Sequence, residues 1–255
     1  MNRPHWMIWS LPFVVALVQG SCAKADDLTD PIEILKRADA AARRVKTVQY
    51  DVVVETTGAF RTQIERAEGT FLGTGYVDGF PEKYRVDFTL TMPGSPIPIK
   101  LSLGTDNEKF FLVDHQSKTA HEDMYVGVQG PTGRGVMQGL LGEFHHPTPF
   151  DDEINGRSHE LIGSEEIHGE DCYKVHVIYI REDSPDVIWY FSKKDYLPRR
   201  RVDLHTRGEM ANSRLIRTVK NLVVNPKLAP DCFKLKVPPG YAKTDEPAPG
   251  LFEEE

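Results

Sequence analysis

The chain has 255 residues, of which 40% are hydrophobic, and it carries 38 acidic against 31 basic side chains for a formal net charge of −7. This length suits one large domain or two small ones and allows a buried core. An acidic surface repels the phosphates of nucleic acids, so the composition argues against generic binding to DNA or RNA.

The first 25 residues have the pattern of a secretory signal peptide. Arg3 provides the positive start, residues 6–18 are mostly apolar, and Ala23-Lys24-Ala25 is a small-x-small cleavage pattern. The apolar run is shorter than the roughly 20 residues that a membrane-spanning helix needs. We therefore predict a signal peptide over residues 1–25 and a mature chain that begins at Asp26 and is exported, in a bacterium to the periplasm.

Cys22 supports a second interpretation of the same segment. Residues 18–22 partly resemble a bacterial lipobox, in which a small pair precedes a cysteine that becomes lipid-modified, but Gln19 stands where that motif usually has Leu. Lipidation of Cys22 would anchor the exported protein to a membrane. Otherwise Cys22 is discarded with the signal.

Two further cysteines, Cys172 and Cys232, remain in the mature chain. Disulfides persist in the exported compartment. A bond between these two would close a loop of about 60 residues and contribute roughly 4 kcal/mol in the chain-entropy model. Two reduced cysteines are the alternative, because a sequence does not give the distance between Cα atoms.

The first predicted element of the mature chain is a helix over residues 31–45. Asp30 offers an N-cap acceptor, and Pro31 and Glu33 suit the first turn. Apolar residues recur at three-four spacing as Leu35, Ala38, Ala42 and Val45. The helix therefore has one face to bury.

From residue 48 the hydrophobic period changes to two, which indicates β-strands. The clearest strand covers residues 84–92, where apolar and polar side chains alternate strictly. Other strands of the first half are predicted over residues 48–56, near 69–77, and over 97–103 and 108–114. Pro98 marks an edge position or a bulge.

A glycine-rich stretch over residues 127–142 interrupts the strands, and a loop rich in Pro and Asp follows over residues 145–156. Four apolar residues predict a short amphipathic helix here: Val136, Leu140, Leu141 and Phe144. We interpret the insert as a lid at the centre of the sheet.

The loop of this insert contains side chains that suit zinc or another divalent ion, namely His145, His146, Asp151 and Asp152. A metal site needs a fixed geometry, whereas adjacent histidines point apart on an extended chain. We therefore predict a polar lid loop here, with no metal and no cofactor.

The second half resumes the pattern of short strands, over residues 160–167, 172–180, 187–192, 199–206 and 213–224. Arg199-Arg200-Arg201 falls on one of them, and alternation divides its side chains between the two faces. We predict a single domain over residues 26–241 built on one continuous antiparallel sheet, followed by a disordered acidic tail over residues 242–255.

No sequence signature of catalysis is found. The chain has no G-x-S-x-G elbow, no H-E-x-x-H pattern, no paired C-x-x-C motifs and no glycine loop with the spacing of a phosphate site. Because active sites can be assembled from distant residues, these absences are mild evidence. We predict that the chain is not an enzyme.

Several short segments resemble one protein family when they are taken in order. They are the helix over residues 34–45 that leads into the strand over 48–55, residues 161–169 (LIGSEEIHG) with Cys172 and Tyr173 beyond them, Trp189-Tyr190-Phe191, Tyr196-Leu197-Pro198-Arg199, and residues 233–241 (FKLKVPPGY). Together they resemble the periplasmic LolA-like lipoprotein-carrier superfamily across residues 31–241. The insert over residues 127–156 matches no pattern of that family.

The resemblance implies a mainly β fold with helices (α+β). It implies a curved antiparallel sheet that forms an incomplete β-barrel, with an N-terminal helix packed in its mouth, around an apolar cavity that holds acyl chains. Members of the superfamily carry lipoproteins, bind lipids or sense envelope stress. No functional residue of the family is mapped individually onto this chain.

The alternating strands by themselves allow the same kind of function, because a half-buried sheet can offer one apolar concave face. The residues predicted to form that face are Val52, Val54, Tyr84, Val86, Phe88, Leu90, Leu101, Phe110 and Leu112. Burial of a CH₂ group contributes about 0.8 kcal/mol, so a 16-carbon chain offers roughly 12 kcal/mol before ordering costs. The same side chains equally suit an ordinary core packed on the first helix.

We therefore predict an extracytoplasmic protein that binds or carries a lipid or the acyl chain of a lipoprotein. The alternative is an envelope-stress sensor or structural scaffold that contacts a membrane or envelope protein through the same sheet. Nucleic acid is not expected as a partner, given the acidic composition.

Overall fold

The computed structural model describes residues 27–77 and 80–251. Its strands are β1 Thr47–Thr57, β2 Arg66–Thr74, β3 Tyr76–Val77, β4 Phe80–Pro81, β5 Tyr84–Thr91, β6 Ile99–Thr105, β7 Phe110–Asp114, β8 Thr119–Asp123, β9 Ser158–Ile167, β10 Glu170–Ile178, β11 Asp186–Ser192, β12 Pro198–His205, β13 Ser213–Val224 and β14 Ala242–Thr244. Its α-helices are α1 Pro31–Ala42, α2 Gly130–Gln138 and α3 Asp151–Ile154. The predicted signal peptide and Cys22 lie outside the described residues.

Twelve of the strands form one sheet, in the order β14-β8-β7-β6-β5-β2-β1-β13-β12-β11-β10-β9. Neighbouring strands are antiparallel, except that β14 pairs parallel with β8. The two ends of this order, β14 and β9, are not paired with each other, so the sheet is open. The predicted mainly β fold on an unclosed sheet is confirmed, with the difference that the sheet is mixed.

Helix α1 begins as predicted, because Oδ1 of Asp30 accepts a hydrogen bond from the amide of Ile32 at 2.9 Å. It ends at Ala42, earlier than predicted, because the amide of Val45 bonds to the carbonyl of Ala42 in a tight turn. One face of α1 is buried: Ile34, Leu35, Ala38, Ala41 and Ala42. This face packs on one side of the sheet, which we call the inner face.

The insert between β8 and β9 also packs on the inner face. We call residues 126–154 the lid segment, which contains α2 and α3. The four apolar residues predicted to form its stripe are all buried in the main core: Val136, Leu140, Leu141 and Phe144. Phe150 joins them with no exposed surface. A short helix in this stretch is confirmed, but only Val136 of the four belongs to it, because α2 ends at Gln138. Leu140 and Leu141 follow the helix and Phe144 lies in a 3₁₀ turn, so one amphipathic helix through all four residues is wrong.

The C-terminal segment differs from the prediction. The prediction of a disordered tail over residues 242–255 is wrong for residues 242–251. Ala242–Thr244 forms β14, which pairs with the edge of β8. Beyond this strand, the amide of Ala248 bonds to the carbonyl of Val128 at 2.9 Å, and Ala248 is 2% exposed. Backbone groups of an edge strand need partners, and this segment supplies them to β8. Residues 252–255 lie outside the described part.

Cys172 and Cys232 are both free thiols. Cys172 lies in β10, whereas Cys232 lies in a 3₁₀ turn that contacts β5. In the sheet order β10 and β5 are six strand spacings apart, about 29 Å along a flat sheet. A disulfide needs Cα atoms within about 7 Å. The sequence left a disulfide between Cys172 and Cys232 open. The separation of the two cysteines excludes that disulfide in this structure.

Within the described ranges, no helix is both long enough and apolar enough to cross a bilayer.

Candidate functional site

The residues predicted to form the apolar face lie together on the inner face of the sheet. Registered pairs run across neighbouring strands, with Val86 opposite Leu103 and Leu103 opposite Leu112. Eight of the nine are at most 4% exposed, namely Val52, Val54, Tyr84, Val86, Phe88, Leu90, Leu101 and Leu112. Phe110 is partly buried against the same cluster. The structure therefore brings all nine together.

The protein's own lid segment covers these residues. A Cβ added to Gly139, just after α2, would lie 3.1 Å from Cζ of Phe88 and 3.5 Å from Cγ2 of Val54. The hydroxyl of Tyr84 donates to Oε1 of Gln129 at 2.7 Å, within the same segment. Desolvation raises the pKa of Tyr84, so this hydroxyl stays protonated. Side chains of the lid segment and α1 thus occupy the space where a ligand was predicted.

A cavity of about 480 Å³ lies elsewhere, between the lid segment, the loop that follows β10, and β12. Most of the residues that line it carry polar or charged side chains: Gly142, Glu143, His146, Thr148, Pro149, Asp152, Glu153, Asn155, Tyr179, Ile180, Arg181, Ser184, Pro185 and Arg201. None of the nine predicted residues lines it. The cavity is the second candidate site, and the sequence did not predict it.

Glu153 of α3 is the most perturbed carboxyl group in the cavity wall. It is 5% exposed, and its Oε1 accepts hydrogen bonds from the hydroxyl of Tyr179 and from Nε1 of Trp189. Burial, and then the negative charge of Glu143, raise its pKa to about 7. Among the described residues, no cationic side chain forms an ion pair with Glu153. When Glu153 ionises, its charge is offset by the more distant attraction of Arg201 and not by an ion-pair contact.

A buried charge network stands beside Glu153. Arg201 donates to Glu143 Oε1 at 2.8 Å and to Asp203 Oδ1 at 2.7 Å. Arg217 contacts Asp203 Oδ2 at 2.8 Å and donates from Nε to the carbonyl of Gln138. Burial opposes ionisation of Asp203, but the two arginines hold its pKa below the usual value. Oε2 of Glu143 and Nη1 of Arg217 are buried without a hydrogen-bond partner.

This network lies on the inner face, in the same row as the apolar site. Arg217 of β13 lies directly opposite Val54 of β1, and Arg201 lies opposite Arg217. Two strand spacings, about 10 Å, therefore separate Val54 from Arg201. Trp189 continues the row, with no exposed surface and with the Arg201 guanidinium 5.0 Å from its ring centre. One face thus passes from an apolar region to a charged one.

The residues suggested as metal ligands are not assembled. His146 and Asp152 belong to the cavity lining, whereas Asp151 pairs with Arg43 at 3.1 Å. The side chain of His145 lies outside the description. Over residues 27–77 and 80–251, no group of three or more His, Cys, Asp or Glu side chains is placed to hold a metal ion.

Sequence reasoning missed the cavity, although one signal was present. Arg201 and Asp203 alternate along β12 and share a face, so charged side chains occupy the phase that should be apolar. From the sequence, the run Arg199-Arg200-Arg201 favours a solvated strand edge over an anion site. Its middle residue, Arg200, does point to the other face, where it lies over the ring of Tyr190.

The sequence matches no protein-family model and no curated protein. Among solved structures, the chain is similar to LprF from Mycobacterium bovis, with 11% identity, coverage of 85% of this chain and 100% of that chain, and a TM-score of 0.49. It is similar to MucB with 12% identity, 81% and 63% coverage and a TM-score of 0.48. A LolA superfamily protein from Nitrosomonas europaea gives 13% identity, 82% and 99% coverage and a TM-score of 0.35.

One of these three structures is of a LolA superfamily protein, the family that segments of the sequence resemble. The chain spans less than two thirds of the length of MucB. All three likenesses lie below 15% identity and below a TM-score of 0.5. They describe shape and carry no argument about a ligand or a partner.

Proposed function

We propose that this chain is an exported, non-enzymatic binding or carrier protein that takes up an acyl chain of a lipid or lipoprotein on its inner face. One observation supports the proposal above others. The inner face is apolar across β1, β5, β6 and β7, and it is covered by a helix and a lid segment instead of a second sheet. Separate covering elements can move without breaking strand pairs.

The lid segment has little helical stability of its own. α2 contains Gly130, Gly133 and Gly135 within nine residues. Each glycine in a helix interior is destabilising by about 0.5–1 kcal/mol relative to alanine. α2 therefore depends on its packing against the inner face, and a ligand that offers the same packing can displace it.

The energies of this exchange are balanced. Four side chains leave the main core when residues 126–144 of the lid segment lift and Phe150 stays in place: Val136, Leu140, Leu141 and Phe144. At about 1.5–3 kcal/mol each, exposing them costs roughly 6–12 kcal/mol. A 16-carbon chain recovers roughly 12 kcal/mol before ordering costs. The cost of exposing the lid side chains and the gain from burying the acyl chain are therefore similar. This suits a carrier, which must both load and release its ligand.

Lipid extraction combined with hydrogen exchange tests the proposal. The mature chain, purified without detergent, should yield lipid by mass spectrometry of an organic extract. Palmitoyl lysophosphatidylcholine, added below its micellar concentration to stripped protein, should speed amide exchange in residues 126–141 and leave β13 protected. An empty protein whose lid segment exchanges at an unchanged rate would overturn the proposal.

A second candidate function is binding of a partner protein, as a sensor or scaffold. It is favoured by the filled inner face and by a half-buried apolar patch on the outer face, formed by Ile188, Leu204 and Ile216 around Val202. Under this function, Leu204→Glu should abolish capture of the partner without affecting lipid content. A lipid-free protein that retains a partner through this patch would favour the second candidate.

A further inference from the structure

We propose that the 480 Å³ cavity is a binding site for a primary ammonium group carried by the ligand. The claim that an acyl chain is attached to that group rests on the proposed function. The ammonium site itself stands on the cavity alone.

The buried carboxyl groups at the cavity outnumber the arginines beside them, which favours binding of a cation. Arg201 and Arg217 face three buried carboxyl groups, those of Glu143, Glu153 and Asp203, which leaves one negative charge when all three ionise. A buried charge without a counter-ion is strongly unfavourable. A phosphate or carboxylate would meet Glu143 and Glu153 and add to the repulsion. A monocation neutralises the site.

The free acceptor atoms favour ammonium over guanidinium. Oε1 of Glu153 already accepts two hydrogen bonds, from Tyr179 and Trp189, so it is not free for a bidentate pairing with a ligand. A guanidinium fork needs both oxygens of a carboxylate for its bidentate pairing, whereas an ammonium is a compact point charge with three donors. Oε2 of Glu143 adds a buried acceptor without a partner.

The cavity has room for more than a charge, since about 480 Å³ lies in the range of small-molecule sites. Its position gives the rest of the ligand a path. Arg201 in its wall is about 10 Å from Val54 along one row of the inner face. A ligand with its ammonium at Glu153 can therefore extend its chain onto the apolar residues when the part of the lid segment before α3 lifts, while the hydrogen bond from Trp189 keeps Glu153 at the sheet.

Protonation sets the direction of the pH dependence. The titratable and charged groups around Glu153 are Glu143, Tyr179 and Arg201, with His146, Asp152 and Arg181 also in the lining. An ammonium binds the ionised form of Glu153, whose pKa is about 7. Affinity should therefore fall as the pH drops from 8 to 6.

Calorimetric titration of the mature chain with matched amphiphiles tests the site. The probes are dodecylammonium, dodecyl sulfate and dodecyl maltoside below their micellar concentrations, and butylammonium. Fluorescence of Trp189 gives a second readout, since Trp6 and Trp9 are in the predicted signal peptide. At pH 8, dodecylammonium should bind at least about tenfold more tightly than dodecyl sulfate, the size of one charge-assisted contact.

Two variants make the test specific. Glu153→Gln keeps an acceptor for Tyr179 and removes the charge, so it should weaken dodecylammonium binding about tenfold and leave dodecyl maltoside unchanged. Glu166→Gln, on the exposed strand β9, is the matched control and should change neither. Circular dichroism and Tm establish that both variants fold.

The outcomes separate this inference from the proposed function. Equal binding of all dodecyl probes with no effect of Glu153→Gln overturns the ammonium site and supports acyl-chain binding. Butylammonium binding as tight as dodecylammonium, and lost in Glu153→Gln, supports the ammonium site and overturns acyl-chain binding. Absence of binding by all four probes overturns both.

Discussion

The indole N–H of Trp189 donates to Oε1 of Glu153 at 3.3 Å, which joins strand β11 of the sheet to the lid segment by one buried hydrogen bond. Trp189 belongs to β11 and packs its ring on Phe150, with ring centres 5.2 Å apart. The same side chain therefore touches the apolar core and the charged cavity. Glu153 is the point at which the lid segment, the sheet and the cavity meet.

Glu153→Gln should stabilise the protein at alkaline pH. The folded-state pKa of Glu153, about 7, lies above the unfolded value near 4.3, so the stability that its protonated form contributes is full below about pH 4.3 and is lost as the pH rises through 7. The loss amounts to about 3–4 kcal/mol. Urea unfolding at pH 5 and pH 8 measures the free energy of unfolding. Relative to the wild type, the variant should be more stable at pH 8 than it is at pH 5. Parallel pH profiles would contradict a buried, titrating Glu153.

Tyr179→Phe should raise the pKa of Glu153 further. The hydroxyl of Tyr179 donates to the carboxylate and so favours its ionised form. Loss of the donor should also destabilise the fold by about 1–3 kcal/mol. A ¹³C NMR titration of the Glu153 carboxyl measures the change. Tyr196→Phe, which removes a hydroxyl at the exposed Arg37, is the control and should leave that titration in place.

Gly139→Val should destabilise the protein by about 1–3 kcal/mol, because a side chain there collides with Phe88 and Val54. Gly135→Ala is the matched control within α2, since an added Cβ meets nothing within 4 Å. It should stabilise the helix by about 0.5–1 kcal/mol. Urea unfolding of both variants checks the pair. A harmless Gly139→Val would mean that the lid segment is not seated on the inner face.

Truncation after Tyr241 should expose the edge of β8. Amides of Thr119 to His121 that face β14 should lose protection from hydrogen exchange, and Tm should fall. Truncation after Leu251 is the control and should have neither effect. Unchanged exchange in β8 after the longer truncation would show that β14 is not held there in solution.

The two thiols should react separately with a disulfide reagent. Burial raises the pKa of Cys172 to about 12, whereas Cys232 is only half-buried and should react first in the native protein. Both should react in denaturant, and a reductant should leave Tm unchanged. Denatured protein without free thiols would show instead that a disulfide forms.

The sequence predicted the elements whose position depends on residues close to them in the chain. The Asp30 cap places the start of α1, and strict alternation places β5, because each depends on neighbours in the sequence. β8 was missed, since His121 and Asp123 weaken the apolar pattern of a short strand. Strand β14 was not predicted, because it is stabilised by pairing with β8, which is more than 100 residues away in the sequence.

The two candidate sites differ in the same way. Alternation identified the nine apolar residues as one face, but it gave no measure of how far the lid segment would fill the space above them. The cavity depends on Glu143 and Glu153 of the lid segment meeting Tyr179 and Arg201 of distant strands. Tertiary packing brings these residues together. In the sequence alone, each of them has the pattern of a solvated charge or an ordinary strand residue.

Strand β14 has a consequence for self-association. With β8 covered, the long free flank of the sheet is β9, ten residues that include the exposed Glu160, Glu165 and Glu166. Growth of a fibre needs two unlike open flanks per molecule, so that each copy can add to the next. The opposite flank, β14, has only three residues, so it offers little for a further copy to pair with. Association is then confined mainly to pairing of the like-charged β9 strands of two copies, which stops assembly after a single step.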